Sequence, residues 1–182
     1  MDIEKIDFSK LYLVTEKKGY RFTYQGKSLK LLAPICESPF GVELFNKKEM
    51  INFHFNKNLE NTVNNFLSYF RLIEKIYEQF NNKQIDKTNI PFVNLPNGFL
   101  QDINNHEFTS VMRPGIKDGV LIRTHLQKST KFYKMEKDGT KKECLKSELK
   151  GNKCIPIFEI SSLWLYGKKY GLLVYVSEVL IV

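Results

Sequence analysis

The chain has 182 residues, of which 42% are hydrophobic and 13% aromatic, and it carries a formal net charge of +8. This length predicts one domain over residues 1–182, and the aromatic content favours β-strands. An odd number of widely spaced cysteines (Cys36, Cys144 and Cys154) excludes a disulfide framework, and the longest apolar stretch, residues 172–182, is too short to cross a bilayer. We therefore expect an intracellular, soluble protein whose basic charge favours a polyanionic partner.

The first third of the chain predicts strands. They occupy residues 11–15, 20–24, 28–33 and 50–55, with turn signals between them. Residues 37–41 predict a loop, because a proline and a glycine interrupt them. Residues 50–55 alternate between two predicted faces, one with Ile51, Phe53 and Phe55 and the other with Met50, Asn52 and His54.

Residues 59–80 have the three- and four-residue spacing of an amphipathic helix. Asn58 is a suitable N-cap, and Glu60 suits the positive end of the helix dipole. We expect the apolar stripe of this helix to pack on the core. The stripe consists of Leu59, Val63, Phe66, Leu67, Phe70, Ile73, Ile76, Tyr77 and Phe80.

The second half of the chain again predicts strands. The predicted strands are residues 120–126, 131–135, 141–145, 155–166 and 170–182, with hairpin turns at 137–140 and 167–169. Strands, one helix and further strands predict a mostly β fold. We expect an OB-type antiparallel barrel with one long amphipathic α-helix at one end and extra strands and loops.

Basic side chains alternate with aromatic ones on several of these strands. Cations can follow a phosphate backbone while flat rings stack on unpaired bases, and alternate residues of a strand share a face. The same rings would also suit the core of a small barrel, so both interpretations stay open for each. This pattern gives the binding candidates Arg21, Lys131, Tyr133, Trp164, Tyr166, Lys168 and Tyr170.

The segment 128–153 is rich in lysine and contains no arginine. Lysine is a flexible point charge, so this segment favours sequence-independent phosphate contact over reading of bases.

The sequence contains no glycine-rich phosphate loop and no nucleophile elbow, and its cysteines and histidines lack zinc-ligand spacing. We therefore expect no catalytic residues, no metal and no cofactor. A minor alternative is a metal-dependent nuclease that uses Asp138, Glu148 and Lys150.

Three stretches of the chain, taken in order, resemble a known family, the OB-fold single-stranded DNA-binding proteins of nucleocytoplasmic large DNA viruses. This group is similar to the replication protein of a short-tailed coliphage. The stretches contain Leu31-Leu32-Ala33-Pro34 with Ser38-Pro39-Phe40-Gly41, then Val111-Met112-Arg113-Pro114, and finally Ile157-Phe158-Glu159-Ile160 with Leu163-Trp164.

The resemblance implies a non-enzymatic protein that coats single-stranded DNA during viral replication, recombination or repair, in the host cytoplasm or at a viral replication site. By position, it implies that Arg113, Lys117 and Arg123 face the DNA, together with the aromatic residues near Trp164. Relatives often carry an acidic tail that contacts replication proteins, whereas this sequence closes on residues 179–182, which predict a strand. Recruitment of replication proteins through a tail therefore stays open.

Three alternatives also stay open. RNA is not excluded as a ligand, because no feature reports contact with a 2′-hydroxyl. An edge strand near the C-terminus leaves a homodimer open. The alternative function is a structural or interaction protein of a virus-like particle, for which Tyr133, Trp164, Tyr166 and Tyr170 would all be buried.

Overall fold

The computed structural model describes residues 2, 5–17, 19–56, 61–79, 96, 98 and 105–182. These residues are mostly β, with one α-helix, α1 (Asn61–Gln79), and short 3-10 turns at Phe8–Lys10 and Lys146–Leu149. The strands are β1 (Leu11–Glu16), β2 (Gly19–Tyr24), β3 (Leu29–Leu32), β4 (Cys36–Glu37), β5 (Val42–Phe45), β6 (Lys48–Phe55), β7 (Glu107–Phe108), β8 (Met112–Pro114), β9 (Val120–Met135), β10 (Lys141–Glu143), β11 (Lys153–Tyr166) and β12 (Lys169–Ile181).

Five strands, in the spatial order β4, β6, β9, β12 and β11, close into a barrel. β11 and β12 form a long antiparallel hairpin, β6 pairs antiparallel with β9, and β9 pairs parallel with β12. β4 closes the ring with two residues, since Glu37 pairs with both Lys153 and His54 while Cys36 pairs with Cys154. The predicted mostly β barrel is confirmed, with one parallel pairing in a ring predicted to be antiparallel.

The remaining strands extend the edges of this ring. β1 pairs with β2, and β2 and β3 both pair with β11, while β5 pairs with β6 and β10 with β9. β8 lies beside the first residues of β9, and β7 lies parallel to the first residues of β12. The segment 107–114 therefore fills the gap where β9 and β12 separate.

Aromatic rings dominate the core. Phe158 of β11 lies 5.4 Å from Phe53 and 6.3 Å from Phe55 of β6, measured between ring centroids. Phe66 and Phe70 of α1 lie 6.0 and 6.3 Å from the same ring. All five are buried, and each contributes about 1.5–3 kcal/mol by leaving water, so these contacts hold α1 against the barrel.

The predicted amphipathic helix is confirmed. Its buried residues Val63, Phe66, Leu67, Phe70 and Ile73 follow the predicted stripe. The backbone of Asn58, Leu59, Glu60 and Phe80, and the side chains of Ile76 and Tyr77, lie outside the described residues. Within the described part of the chain, no helix is both long and apolar enough to span a membrane.

The division of residues 120–135 into two predicted strands was wrong. Residues 120–126 and 131–135 belong to one strand, β9, in which residues 127–130 bulge and the Thr130 hydroxyl donates to the Val176 carbonyl (2.7 Å). On β6 both predicted faces are buried. The polar residues of that strand tolerate burial because they are hydrogen-bonded: Asn52 bonds Glu43 and Arg123, and Nε2 of His54 donates to the Ile116 carbonyl (3.0 Å).

Candidate nucleic-acid interface

A groove of about 210 Å³ lies where β9 and β12 separate beside the segment 107–114. It brings together three of the residues predicted from sequence, Arg113, Arg123 and Trp164. We call it the arginine groove. Its lining consists of Phe45, Met50, Thr109, Ser110, Val111, Arg113, Arg123, His125, Trp164, Leu172 and Val174.

Strand pairing and two hydrogen bonds position Arg123. It lies directly across from Asn52 of β6, and its Nε donates to Asn52 Oδ1 at 3.2 Å. The Asn52 amide in turn donates to Glu43 Oε2 of β5 at 2.6 Å. The half-buried guanidinium is thus fixed from one side, across three adjacent strands.

Positive charge is concentrated in the arginine groove. Burial lowers the pKa of Arg123 and repulsion from Arg113 lowers it further, while Glu43 opposes both effects. Within the part of the chain that the structure describes, neither Arg113 nor Arg123 forms an ion pair with a carboxylate. Arginine nevertheless stays protonated in proteins, so the groove holds two positive groups that no carboxylate of the described residues pairs with. An anion placed between them would relieve their repulsion.

His125 lies two residues beyond Arg123 on the same face of β9. Burial lowers its pKa, and the positive charges of Lys48 and Arg123 lower it further. Its ring meets Tyr175 of β12 edge-on, at a centroid distance of 6.2 Å. The groove therefore contains a neutral imidazole that an added negative charge would help to protonate.

Trp164 supplies a ring to the groove. Its Nε1 donates to the Leu172 carbonyl at 3.2 Å, so the indole is anchored by its edge. Gly171 makes room for it, because a Cβ there would lie 2.5 Å from the Thr109 carbonyl oxygen and 2.9 Å from Trp164 Cζ2. Gly171 thus allows both the indole and the segment 107–114 to approach β12 closely.

A buried carboxylate of α1 holds one wall of the groove. Glu74 Oε1 accepts from the Val111 N–H at 2.8 Å, and Oε2 accepts from the Ser110 hydroxyl at 2.6 Å and from Arg71 at 3.2 Å. Burial raises the pKa of Glu74, and these three donors oppose the rise. The helix that packs on the core therefore also fixes the segment that carries Arg113.

Tyr166 and Lys168 lie at the exposed end of the β11–β12 hairpin. Tyr166 is 85% exposed and shares a strand face with Trp164, two residues and roughly 7 Å away. Lys168 occupies the turn and is exposed. The two rings thus lie in sequence along the same side of β11.

The other exposed candidates lie apart from the groove. Lys131 and Tyr133 are on the far half of β9, where Lys141 Nζ lies 3.9 Å from the centroid of the Tyr133 ring. Arg21 is on β2 and pairs with Glu16 at 2.7 Å. Lys117 is exposed in the turn between β8 and β9 and has a positive φ of 46°.

Tyr170 is a correction. It is fully buried and meets Phe108 edge-on at 5.3 Å, on the same side of β12 as Leu172 and Val174. A ring with no exposed surface cannot stack on a base. Of the two interpretations that the sequence left open for this ring, the structure shows the core one.

The carboxylates of the nuclease alternative are held by neighbouring donors. Asp138 Oδ1 accepts from the backbone N–H and the hydroxyl of Thr140, and Glu148 accepts from the Leu145 N–H and pairs with Lys134 at 3.7 Å. Over the described ranges, no three His, Cys, Asp or Glu side chains are grouped so that they could hold a metal ion.

No protein-family profile and no curated protein matches the chain. Solved structures with a similar fold include the single-stranded DNA-binding protein from bacteriophage Enc34, at 12% identity and a TM-score of 0.48 over 94% of this chain and 89% of that one. A C-terminal truncation of that protein gives 14% identity and a TM-score of 0.45 over 94% of both chains. Its complex with single-stranded DNA gives 12% identity and 0.45 over 95% of both chains.

Sequence analysis missed four residues of this site, Phe45, Asn52, His125 and Glu74, as contributors to an interface. Phe45 ends β5, which escaped prediction because its turn consists of Asn46 and Lys47 at positive φ rather than glycine. Asn52 and His125 lay on predicted strands, but their partners are far away in sequence. The signal for Glu74 was a lone acidic residue in a helix, which does not predict burial.

Proposed function

We propose that this chain is a non-enzymatic, sequence-independent single-stranded DNA-binding protein, with one nucleic-acid-binding domain over residues 1–182. The observation that carries the proposal is the arginine groove. There Arg113 and Arg123 line one groove beside the half-buried ring of Trp164, and neither forms an ion pair with a carboxylate of the described residues.

This combination suits an unpaired strand better than a duplex. Arginine binds phosphate through two parallel N–H donors, while an indole face stacks on any base. In a duplex the base faces are already stacked on one another, so Trp164 would have no partner. Contacts to phosphates and ring faces carry no base identity, which supports sequence-independent binding.

The hairpin end extends the same surface. Tyr166 is 85% exposed and follows Trp164 on one side of β11, so a strand bound in the groove could continue over Tyr166 towards Lys168. We propose Lys117 and Lys131 as outlying phosphate contacts. We expect only small contributions from Tyr133 and Arg21, because each is already paired within the chain.

The alternative, a structural or interaction protein of a virus-like particle, predicted that all four aromatic candidates would be buried. Tyr170 is buried, but Tyr166 is largely exposed and Trp164 and Tyr133 are partly exposed. The exposure of these rings supports the binding function.

The biological setting is also part of the proposal. We propose that the chain acts in viral DNA replication, recombination or repair, in the host cytoplasm or at a viral replication site. The support is the sequence resemblance to the proteins of large DNA viruses. Contacts with replication proteins, binding of RNA and homodimer formation remain predictions from sequence.

The proposal is tested by titrating labelled oligo-dT of about thirty nucleotides, and the matching duplex, with the protein at several salt concentrations. OB folds cover about 4–16 nucleotides, so this length contains at least one site. We expect preference for the single strand and an affinity that falls steeply as salt rises, because bound phosphates release counterions. Equal, weak binding to both forms would contradict the proposal.

Arg21→Met provides the matched control. It removes one exposed arginine that lies outside the groove and already pairs with Glu16. We expect it to change the affinity for oligo-dT by less than about twofold, because exposed ion pairs contribute little.

A further inference from the structure

Arg123 is oriented by a chain of two hydrogen bonds that begins outside the arginine groove. Glu43 Oε2 accepts from the Asn52 amide at 2.6 Å, and Asn52 Oδ1 accepts from Arg123 Nε at 3.2 Å. We call this chain the Asn52 bridge. It joins three adjacent strands, since Glu43 lies on β5, Asn52 on β6 and Arg123 on β9.

The chemistry of the two ends fixes the orientation of the amide between them. A carboxylate only accepts hydrogen bonds and a guanidinium only donates them. The Asn52 amide must therefore point its NH2 group at Glu43 and its oxygen at Arg123. A side chain without both a donor and an acceptor cannot make this bridge.

The burial of Asn52 gives the bridge its rigidity. Asn52 is only 6% exposed, in the middle of a strand paired on one side with β9. The bridge occupies Nε of Arg123 and leaves the terminal nitrogens of the guanidinium for other partners. Those nitrogens belong to a groove that Arg113 also lines and where no carboxylate of the described residues pairs with either arginine.

We propose that Asn52 is a positioning residue for DNA binding, which holds Arg123 so that its terminal nitrogens and Arg113 can take one phosphate between them. This inference rests on the proposed function. Asn52 itself contacts no phosphate in the proposed complex, so all of its effect on affinity passes through Arg123.

A double-mutant cycle tests the inference. The affinity for oligo-dT is measured for the wild type, Asn52→Leu, Arg123→Met and the double variant. We expect Arg123→Met to weaken binding. We also expect it to reduce the salt slope, which is the slope of the logarithm of affinity against the logarithm of salt concentration, by about 0.7, the value for one phosphate contact on a single strand. Asn52→Leu should weaken binding by about threefold to tenfold in the wild type and have no effect in the Arg123→Met background.

Each outcome separates the two proposals. If Asn52→Leu weakens binding equally in both backgrounds, or in neither, while Arg123→Met does weaken it, the positioning role is wrong and the proposed function stands. If Arg123→Met leaves both the affinity and the salt slope unchanged, the arginine groove is not the binding site, and the positioning role fails with it.

Two further variants control for folding and charge. Asn52→Ala is smaller and carries neither a donor nor an acceptor, so it replaces Asn52→Leu in the cycle if the leucine variant does not fold, as judged by circular dichroism. Glu43→Gln keeps an oxygen that can accept from Asn52 but removes a negative charge near the groove. We expect its affinity to equal or exceed that of the wild type, and a loss as large as that of Asn52→Leu would overturn the proposed bridge.

Discussion

The arginine groove and the β9–β10 hairpin are both basic, but among the described residues only the hairpin cations form ion pairs with carboxylates. In the hairpin, Lys134 pairs with Glu148 and Lys141 with Glu178, and Lys141 also covers the Tyr133 ring. In the groove, Arg113 and Arg123 lie beside each other and beside a ring anchored at its edge. A high density of lysine therefore marks a solvated surface as readily as a binding site.

The largest effect should come from removing both groove arginines. Arg113→Met with Arg123→Met is expected to lower the affinity for oligo-dT about 100-fold, because each hydrogen bond to a charged group contributes about 1.5–3 kcal/mol. The salt slope should fall by about 0.7, the value for the one phosphate that the two arginines are proposed to hold between them. Fluorescence anisotropy at several salt concentrations measures both quantities.

The matched control in the hairpin is Lys134→Met with Lys141→Met, which removes the same formal charge. These lysines already have carboxylate partners, so we expect a loss of less than about threefold. A larger loss of affinity for the hairpin variant than for the groove variant would contradict the assignment of DNA binding to the groove.

The next effect concerns the rings. Trp164→Leu should weaken binding by about 1–3 kcal/mol, or roughly fivefold to 150-fold, because one stacking surface is lost. Tyr133→Leu should cost less than about threefold, since its face is covered by Lys141. Equal losses of affinity in the two variants would mean that the bound DNA strand runs along β9 to the β9–β10 hairpin.

A smaller effect is expected from Gly171→Ala. The added Cβ would lie 2.5 Å from the Thr109 carbonyl oxygen, so either the segment 107–114 or Trp164 must move. We expect a loss of about 1–3 kcal/mol of folding stability and weaker DNA binding. Because Trp164 is the single tryptophan of the sequence, its fluorescence spectrum reports the displacement directly. An unchanged spectrum and melting temperature would show that the packing at Gly171 is not restrictive.

The smallest effect is a pH dependence from His125. Its folded-state pKa lies below the unfolded value of about 6.5, so its contribution to stability is present above that pH and is lost as the pH falls. A bound phosphate reverses the sign, because its negative charge favours the protonated ring. The affinity for oligo-dT should therefore rise, by less than about tenfold per pH unit, as the pH drops through this region. His125→Gln should remove this rise and leave the salt slope near neutral pH unchanged.

Local patterns predicted the parts of the fold that depend on nearby residues. The turn signals at Asp138-Gly139 and at residues 167–169 predicted the β9–β10 and β11–β12 hairpins, and the spacing of Phe66 and Phe70 predicted the helix. The β5–β6 hairpin was missed because its two turn residues adopt positive φ without glycine. Barrel closure through β4 joins residues more than one hundred positions apart, which no local pattern can report.

In the site, too, local patterns predicted some features, while features that depend on distant residues were not predicted. Alternation predicts which residues of a strand share a face, but it does not say which face is inside. Trp164 and Tyr170 come from the same pattern, yet one lines a groove and the other is fully buried. Asn52, which orients Arg123, lies 71 residues earlier in the chain. The sequence therefore indicated the cation but not the hydrogen bond that orients it.

The two-residue strand β4 gives the barrel a place to open. Opening the ring there separates Cys36 and Glu37 from their neighbours and breaks the flanking backbone hydrogen bonds of Ser38 with Gly151 and Asn152. Local opening of this kind can require less free energy than global unfolding. The thiols of Cys36 and Cys154 face each other across this joint at 3.9 Å, and both are buried. A thiol-modifying reagent would reach them only while the joint is open. The rate at which these two cysteines are labelled therefore reports how often the barrel opens at β4.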